Sequence, residues 1–166
     1  HNYYLNILFS NSTFHERISI VDVSNNGFTG SIPDELFHSR ELETFVVGQN
    51  CFSGTISNSV CNAAALSTLD ISGLTSGSNC VTHFHIFGLD FYTSSAVGGS
   101  IPECLFSMER LNVFSAAGNG LRSKLGEVPQ SSLLSNISLS YNRLYGTIPE
   151  SLMNKSDVHY FIGFVI

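Results

Sequence analysis

The chain has no tryptophan, only two methionines and only four prolines in 166 residues. Charge is scarce as well. Asp, Glu, Lys and Arg together make up 12%, about half the share usual in a globular domain. The few cations, 7 Lys and Arg against 13 acids, never cluster, so nothing in the sequence could neutralise a run of phosphates, and nucleic-acid binding is excluded. No apolar stretch approaches the roughly 20 residues that cross a bilayer, so membrane attachment is expected only through parts of a longer chain. The apolar end, Tyr160 to Ile166, reads as an interrupted repeat, with a truncated membrane segment as the lesser alternative. With no initiator Met and no signal-like start, the sequence is expected to be a processed form or a fragment. Walker loops, Gly-x-Gly-x-x-Gly, Gly-x-Ser-x-Gly and His-Glu-x-x-His are all missing, and scattered acids such as Asp22, Asp34 and Glu35 form no acid/base pair. An enzyme is therefore not expected, and no cofactor is implied.

What is present is order in the prolines. All four end a Gly-x-(Ile/Val)-Pro unit: Gly30 to Pro33, Gly99 to Pro102, Gly126 to Pro129 and Gly146 to Pro149. A fifth copy, Gly54-Thr-Ile-Ser57, has lost only the proline. Ahead of each unit lie apolar residues at positions 1, 4 and 6, an Asn at 9 and an apolar residue at 11. Ile18, Val21, Val23, Asn26 and Phe28 make one copy, and Leu42, Phe45, Val47, Asn50 and Phe52 follow it 24 residues later. Leu66, Leu69 and Ile71 begin a third. Leu111, Phe114, Ala116, Asn119 and Leu121 continue the series, then Leu134, Ile137, Leu139, Asn142 and Leu144, and Val158 and Phe161 open a last copy.

Alternation at positions 4 and 6 describes a half-buried strand, so each coil contributes one short strand to a shared parallel sheet. The Asn at 9 has to satisfy turn backbone groups that lack partners as the chain leaves that strand, in its own coil and the next. Asn26, Asn50, Asn119 and Asn142 are thus expected to form a structural ladder. One coil cannot bury its apolar face alone, and stacking makes the core.

Val21-Asp-Val-Ser-Asn-Asn-Gly-Phe-Thr-Gly-Ser-Ile-Pro33 and Ile137-Ser-Leu-Ser-Tyr-Asn-Arg-Leu-Tyr-Gly-Thr-Ile-Pro149 resemble the plant-type leucine-rich repeat, LxxLxLxxNxLxGxIPxxL. The resemblance covers roughly residues 18 to 166. It implies an α/β-type repeat solenoid: a curved right-handed array with a parallel β-sheet on the concave face and 3-10 or irregular segments on the convex face. It also implies kinship with receptor-like kinase ectodomains, receptor-like proteins and polygalacturonase inhibitors, without naming a ligand.

The expected organisation is an atypical first coil or cap over residues 1–17, then five to six coils over 18–166 with an insertion at about 73–95. The insertion carries Cys80, His83, His85, Asp90, Phe91 and Tyr92, too aromatic for a solvated loop; it is either a degenerate coil or an island used for ligand contact. His83 and His85 with Cys80 or Asp90 resemble a metal site only weakly, because zinc sites show four ligands in paired spacings; no metal is expected. An even number of cysteines suggests disulfides in an oxidising compartment. Repeat register favours Cys61–Cys104 and Cys51–Cys80, with free thiols as the alternative. Sequons at Asn11, Asn136 and Asn154 can accept N-glycans in a secreted chain. Extracellular or secretory-pathway location follows as the expectation.

The expected partner-binding surface is the exposed strand positions of the concave face: Ile20, Asp22 and Ser24; Thr44, Val46 and Gln49; Thr68, Asp70 and Ser72; Val113 and Ser115; and Asn136, Ser138 and Tyr141. The surface is neutral and moderately apolar, with Tyr141 as an anchor. The expected function is recognition of a protein, peptide or glycan without covalent chemistry. A structural role in an extracytoplasmic assembly is the alternative, and ice binding or enzyme inhibition a remote one.

Overall fold

A computed structural model describes residues 3–4, 17–73, 80–94, 96–156, 158 and 160–162. Its strands are, in chain order, β1 (Tyr3–Tyr4), β2 (Ile20–Asp22), β3 (Phe28–Ser31), β4 (Thr44–Val46), β5 (Cys51–Thr55), β6 (Thr68–Asp70), β7 (Val81–Ile86), β8 (Leu89–Ser94), β9 (Val97–Gly99), β10 (Val113–Ser115), β11 (Gly120–Leu121), β12 (Asn136–Ser138) and β13 (Tyr160–Ile162).

Residues at repeat positions 3 to 5 form a six-stranded parallel sheet in the order β13-β12-β10-β6-β4-β2. Its register is unbroken: Ile20 lies beside Thr44, Thr44 beside Thr68, Thr68 beside Val113, and Val113 beside Asn136. The inward residue of each strand, Val21, Phe45, Leu69, Phe114 or Ile137, is buried, as are the apolar residues at positions 1 and 6 from Leu42 to Leu139. The strands stack into one continuous core because each coil covers the apolar edge of its neighbour. Phe37 meets Phe45 edge-on at 5.2 Å, and Phe106 meets Phe114 likewise at 6.3 Å.

A second parallel sheet, β1-β3-β5-β9-β11, was not foreseen from the apolar spacing. It forms just after the ladder Asn, where the backbone re-extends before the Gly-x-Ile-Pro corner. Tyr3 and Tyr4, in the segment expected to be an atypical coil or cap, pair with Phe28 and Thr29 at one edge of this sheet.

On the far side, 3-10 segments run over Asp34–His38, Asn58–Asn62 and Glu103–Phe106. A four-residue α-helix, α1 (Glu150–Met153), takes their place in the last full coil. Pro33, Pro102 and Pro149 immediately precede three of these segments, where the fixed φ is compatible and no N–H is required. In the copy that lost its proline, the Ser57 hydroxyl accepts from the Ser59 N–H instead, a side-chain cap in place of a conformational lock. Lys155 is buried and donates to the carbonyls of Ser132, at 2.6 Å, and Gln130, at 3.4 Å, tying α1 to the preceding coil.

Among its described residues the insertion forms no repeat coil. Its described part is an antiparallel hairpin of β7 and β8, with Val81 opposite Ser94 and Ile86 opposite Leu89. Disulfides join Cys51 to Cys80 and Cys61 to Cys104. The first pins the root of the hairpin to β5. The second bridges the 3-10 segments on either side of the insertion.

Candidate binding face

The ladder residues show how the face is held. Asn50 is fully buried. Its Nδ2 donates to Val47 O at 2.9 Å and Gly48 O at 3.3 Å in its own coil, and to Val23 O at 2.9 Å in the coil before. Its Oδ1 accepts the Phe28 N–H at 3.0 Å. Asn142 repeats the pattern with Leu139 O, Ser140 O, Ala116 O and the Leu121 N–H. Asn119 makes the donor contacts to Ala116, Ala117 and Ile71, and its Oδ1 has no partner among the described residues. Asn26 differs from the buried partner expected: it is exposed, and its recorded bonds reach only Val23 O and Ser24 O in its own coil.

Side chains of the concave sheet stand in registered rows. Ile20, Thr44, Thr68, Val113 and Asn136 form one, and Asp22, Val46, Asp70, Ser115 and Ser138 the next. With strands about 4.8 Å apart, Asp22 and Asp70 stand about 10 Å from each other with Val46 between. Asp22 Oδ1 accepts from the Ser24 N–H at 3.0 Å and the Ser24 hydroxyl at 2.7 Å. Asp70 Oδ1 accepts from Ser72 in the same way, at 2.8 and 2.6 Å. Each carboxylate is thereby aimed by its own coil.

The Ser24 hydroxyl, followed by the Ser24 N–H, holds the Asp22 carboxyl below the usual carboxylate range. Its charge, and these bonds, therefore persist above that lowered value and are lost only as pH falls through it. Beside Asp70, a shallow depression of about 310 Å³ opens over Val113, Ser115, Asn136 and Ser138, with Phe114 and Ile137 as its floor.

A larger depression of about 760 Å³ lies over the Gly-x-Ile-Pro corners, lined by Ser31, Asp34, Gly54, Thr55, Ser57 and Gly99 among others. The smaller one is the better candidate. It joins apolar floor to polar rim on the rigid sheet, whereas the larger is a polar hollow between successive corners, and its Asp34 carboxylate already accepts from Ser57.

Gln49 and Tyr141 depart from the expected strand placement. Both sit in the turn after the strand with positive φ, 58° and 56°. Other coils place Asn25, Gly73 and Gly118 in this left-handed turn. The repeat needs that conformation for the chain to swing towards the ladder Asn, and Asn or Gly adopts it with least strain. Tyr141 is 78% exposed, so packing does little to offset its strain. Tyr141→Gly is expected to leave stability unchanged or raise it by about 0.5–1 kcal/mol. Urea unfolding checks this, and a loss above about 1 kcal/mol would show that the ring packs.

Cys80, a weak metal-ligand candidate by sequence, is committed to a disulfide. His85 Nδ1 lies 2.8 Å from Asp90 Oδ1 across the hairpin, while the side chain of His83 and the whole of Asn11 lie outside the described residues. Among the described residues no group of three or more His, Cys, Asp or Glu side chains is placed to hold a metal ion. Asn136 lines the concave depression, and Asn154 is exposed at the end of α1.

The model of the Leucine Rich Repeat family matches residues 17–39 and 133–155. These are the first and last of the well-formed copies, each running from the strand through its Gly-x-Ile-Pro corner. By fold the chain is a leucine-rich-repeat solenoid, and two of its repeats match that family's model. It is similar to Receptor-like protein 39 of Arabidopsis thaliana, 29% identical over 170 residues that cover 96% of this chain and 19% of that protein. The solenoid thus spans about a fifth of the curated relative it matches.

Among solved structures, the Arabidopsis receptor kinase HAESA, in complex with the peptide hormone IDA and the co-receptor SERK1, superimposes over 90% of this chain and 22% of its own. The TM-score is 0.71 at 23% identity, which shows shared fold. A TDR receptor matches at TM-score 0.66 and 28% identity over 89% of this chain and 22% of its own. Both are receptors, and what this chain shares with them is the build of the solenoid.

Proposed function

We propose that this solenoid is a non-catalytic recognition module that holds an extended peptide, or an extended segment of a protein, across its concave sheet. The observation that carries this reading is the registered row Asp22–Val46–Asp70 leading into the depression over Val113 and Ser138. Two aimed carboxylates flank an apolar side chain on a rigid surface, an arrangement suited to a segment that offers N–H or cationic groups either side of an aliphatic one. The fold shared with HAESA, which binds a peptide hormone, supports the same class of partner. Two disulfides in the structure support an oxidising, extracytoplasmic compartment.

Peptides selected from a displayed library against the solenoid test this. Val46→Arg places a cation and excess volume in the middle of the row, and is expected to weaken selected peptides by at least about tenfold, or 1.4 kcal/mol. Retention of full affinity by that variant would remove the concave row from the site.

Asn154 is the acceptor expected to carry an N-glycan in the secreted chain, with Asn136 bare, since a glycan on Asn136 would fill the depression. Peptide mapping by mass spectrometry reads both positions. A fully occupied Asn136 would restrict the site to the strands before β12.

A further inference from the structure

The hairpin of β7 and β8 is the part of the chain that the concave reading leaves unused. It forms a two-stranded sheet of its own, with no third strand beside it among the described residues. Its tip exposes Ile86, Phe87 and Leu89, and Phe87 is wholly uncovered. An isolated two-stranded ribbon is marginal in water, and natural proteins guard open edges with Lys, Pro, bulges or short strands. Neither β7 nor β8 contains Lys, Arg, Glu, Pro or Gly.

The turn decides which backbone groups face outward. Phe87 and Gly88 have φ of 53° and 78°, as a two-residue type I′ turn requires, which makes Ile86 and Leu89 the closing hydrogen-bonded pair. Pairs then alternate along the antiparallel ladder. His83 and Tyr92 are opposite each other and form a non-hydrogen-bonded pair, so the N–H and C=O of Tyr92 and of Ser94 turn away from β7.

We propose that a second copy of this chain pairs along that edge, β8 against β8, in a two-fold dimer. An edge meeting its own copy antiparallel is self-complementary under a two-fold axis and needs no other component. Full overlap centres on Tyr92 and puts Asp90 opposite the second copy's Ser94, so no carboxylate opposes a carboxylate. β7 is the less open choice because its root follows the buried Cys80. A six-residue edge spans only about 20 Å. Even with the apolar tip added, it offers less than the roughly 800 Å² per partner of a stable standard interface, so the dimer is weak and concentration-dependent. The net charge of -6 and the absence of Lys and Arg from the hairpin argue against an anionic membrane as the occupant.

Sedimentation velocity on the disulfide-intact chain tests the pairing. The wild type is expected to pass from monomer to dimer as concentration rises. Tyr92→Val, which keeps the outward N–H, should dimerise as the wild type does. Tyr92→Pro removes that N–H without touching the β7–β8 ladder and should raise the dissociation constant at least about tenfold. Hydrogen exchange on the unaltered chain guards against a misfolded variant: the amides of Tyr92 and Ser94 should slow as concentration rises. A chain monomeric throughout with concentration-independent exchange overturns the proposal. So does a dimer that a folded Tyr92→Pro leaves intact, or hairpin amides protected by phosphatidylcholine vesicles and not by concentration.

Discussion

Asn50→Leu is expected to lower the unfolding free energy by about 3 kcal/mol, and Asn26→Leu by less than about 1 kcal/mol. The two residues occupy the same repeat position, and a propensity scale would not separate them. Asn50 is fully buried and satisfies three carbonyls and the Phe28 N–H. Leucine fills similar space and leaves those groups in the core without a partner, so their desolvation is felt in full. Asn26 is exposed and its recorded bonds stay within its own coil, so water can replace the amide. Chemical denaturation of both variants reads the contrast directly. Equal losses would mean that the ladder acts within each coil and does not couple one coil to the next.

The second large effect lies at the insertion. Replacing Cys61 and Cys104 together by serine is expected to destabilise the chain by about 4 kcal/mol, from the loop-closure entropy of a cross-link spanning 43 residues. That is roughly 12 °C in melting temperature for a domain of this size. The bond bridges two 3-10 segments whose coils are interrupted by residues 73–95, so it holds the stack together where the backbone leaves it. Differential scanning calorimetry of the double variant provides the test. A shift of only a degree or two would mean that stacking of β6 on β10 alone closes the gap.

Much of this was legible in the sequence because the repeat reports burial twice, in its apolar spacing and in its punctuation. Leu42, Phe45 and Val47 could be assigned to the core because positions 1, 4 and 6 have no other use in a half-buried strand. The pairing of Cys51 with Cys80 followed the same register. Tyr141 shows where register alone misleads. Counting along the coil puts it with the exposed strand positions, yet it sits in the left-handed turn after the strand, a property sequence reveals only where Gly or Asn occupies the site, as at Gly118 and Asn25. The lateral sheet left a weak signal in Phe28-Thr-Gly-Ser31 and Cys51-Phe-Ser-Gly-Thr55, short segments interrupted by the glycines of the corner. The hairpin left almost none, because its Phe87-Gly88 turn lacks the Asn or Asp that usually marks such a turn. The concave row was readable as positions and not as chemistry. Only the hydrogen bonds from Ser24 and Ser72 show that Asp22 and Asp70 are held in fixed aim.

Photo-crosslinking tests most directly whether the concave sheet is where a partner sits. A photoreactive phenylalanine analogue is placed in turn at Thr44, Thr68 and Val113 on the sheet, and at Glu35 and Thr55 on the convex and lateral sides, before incubation with a peptide selected on the unaltered chain. The account predicts adducts from the three sheet positions and none from Glu35 or Thr55. Adducts from Glu35 or Thr55, with none from the sheet, would contradict it.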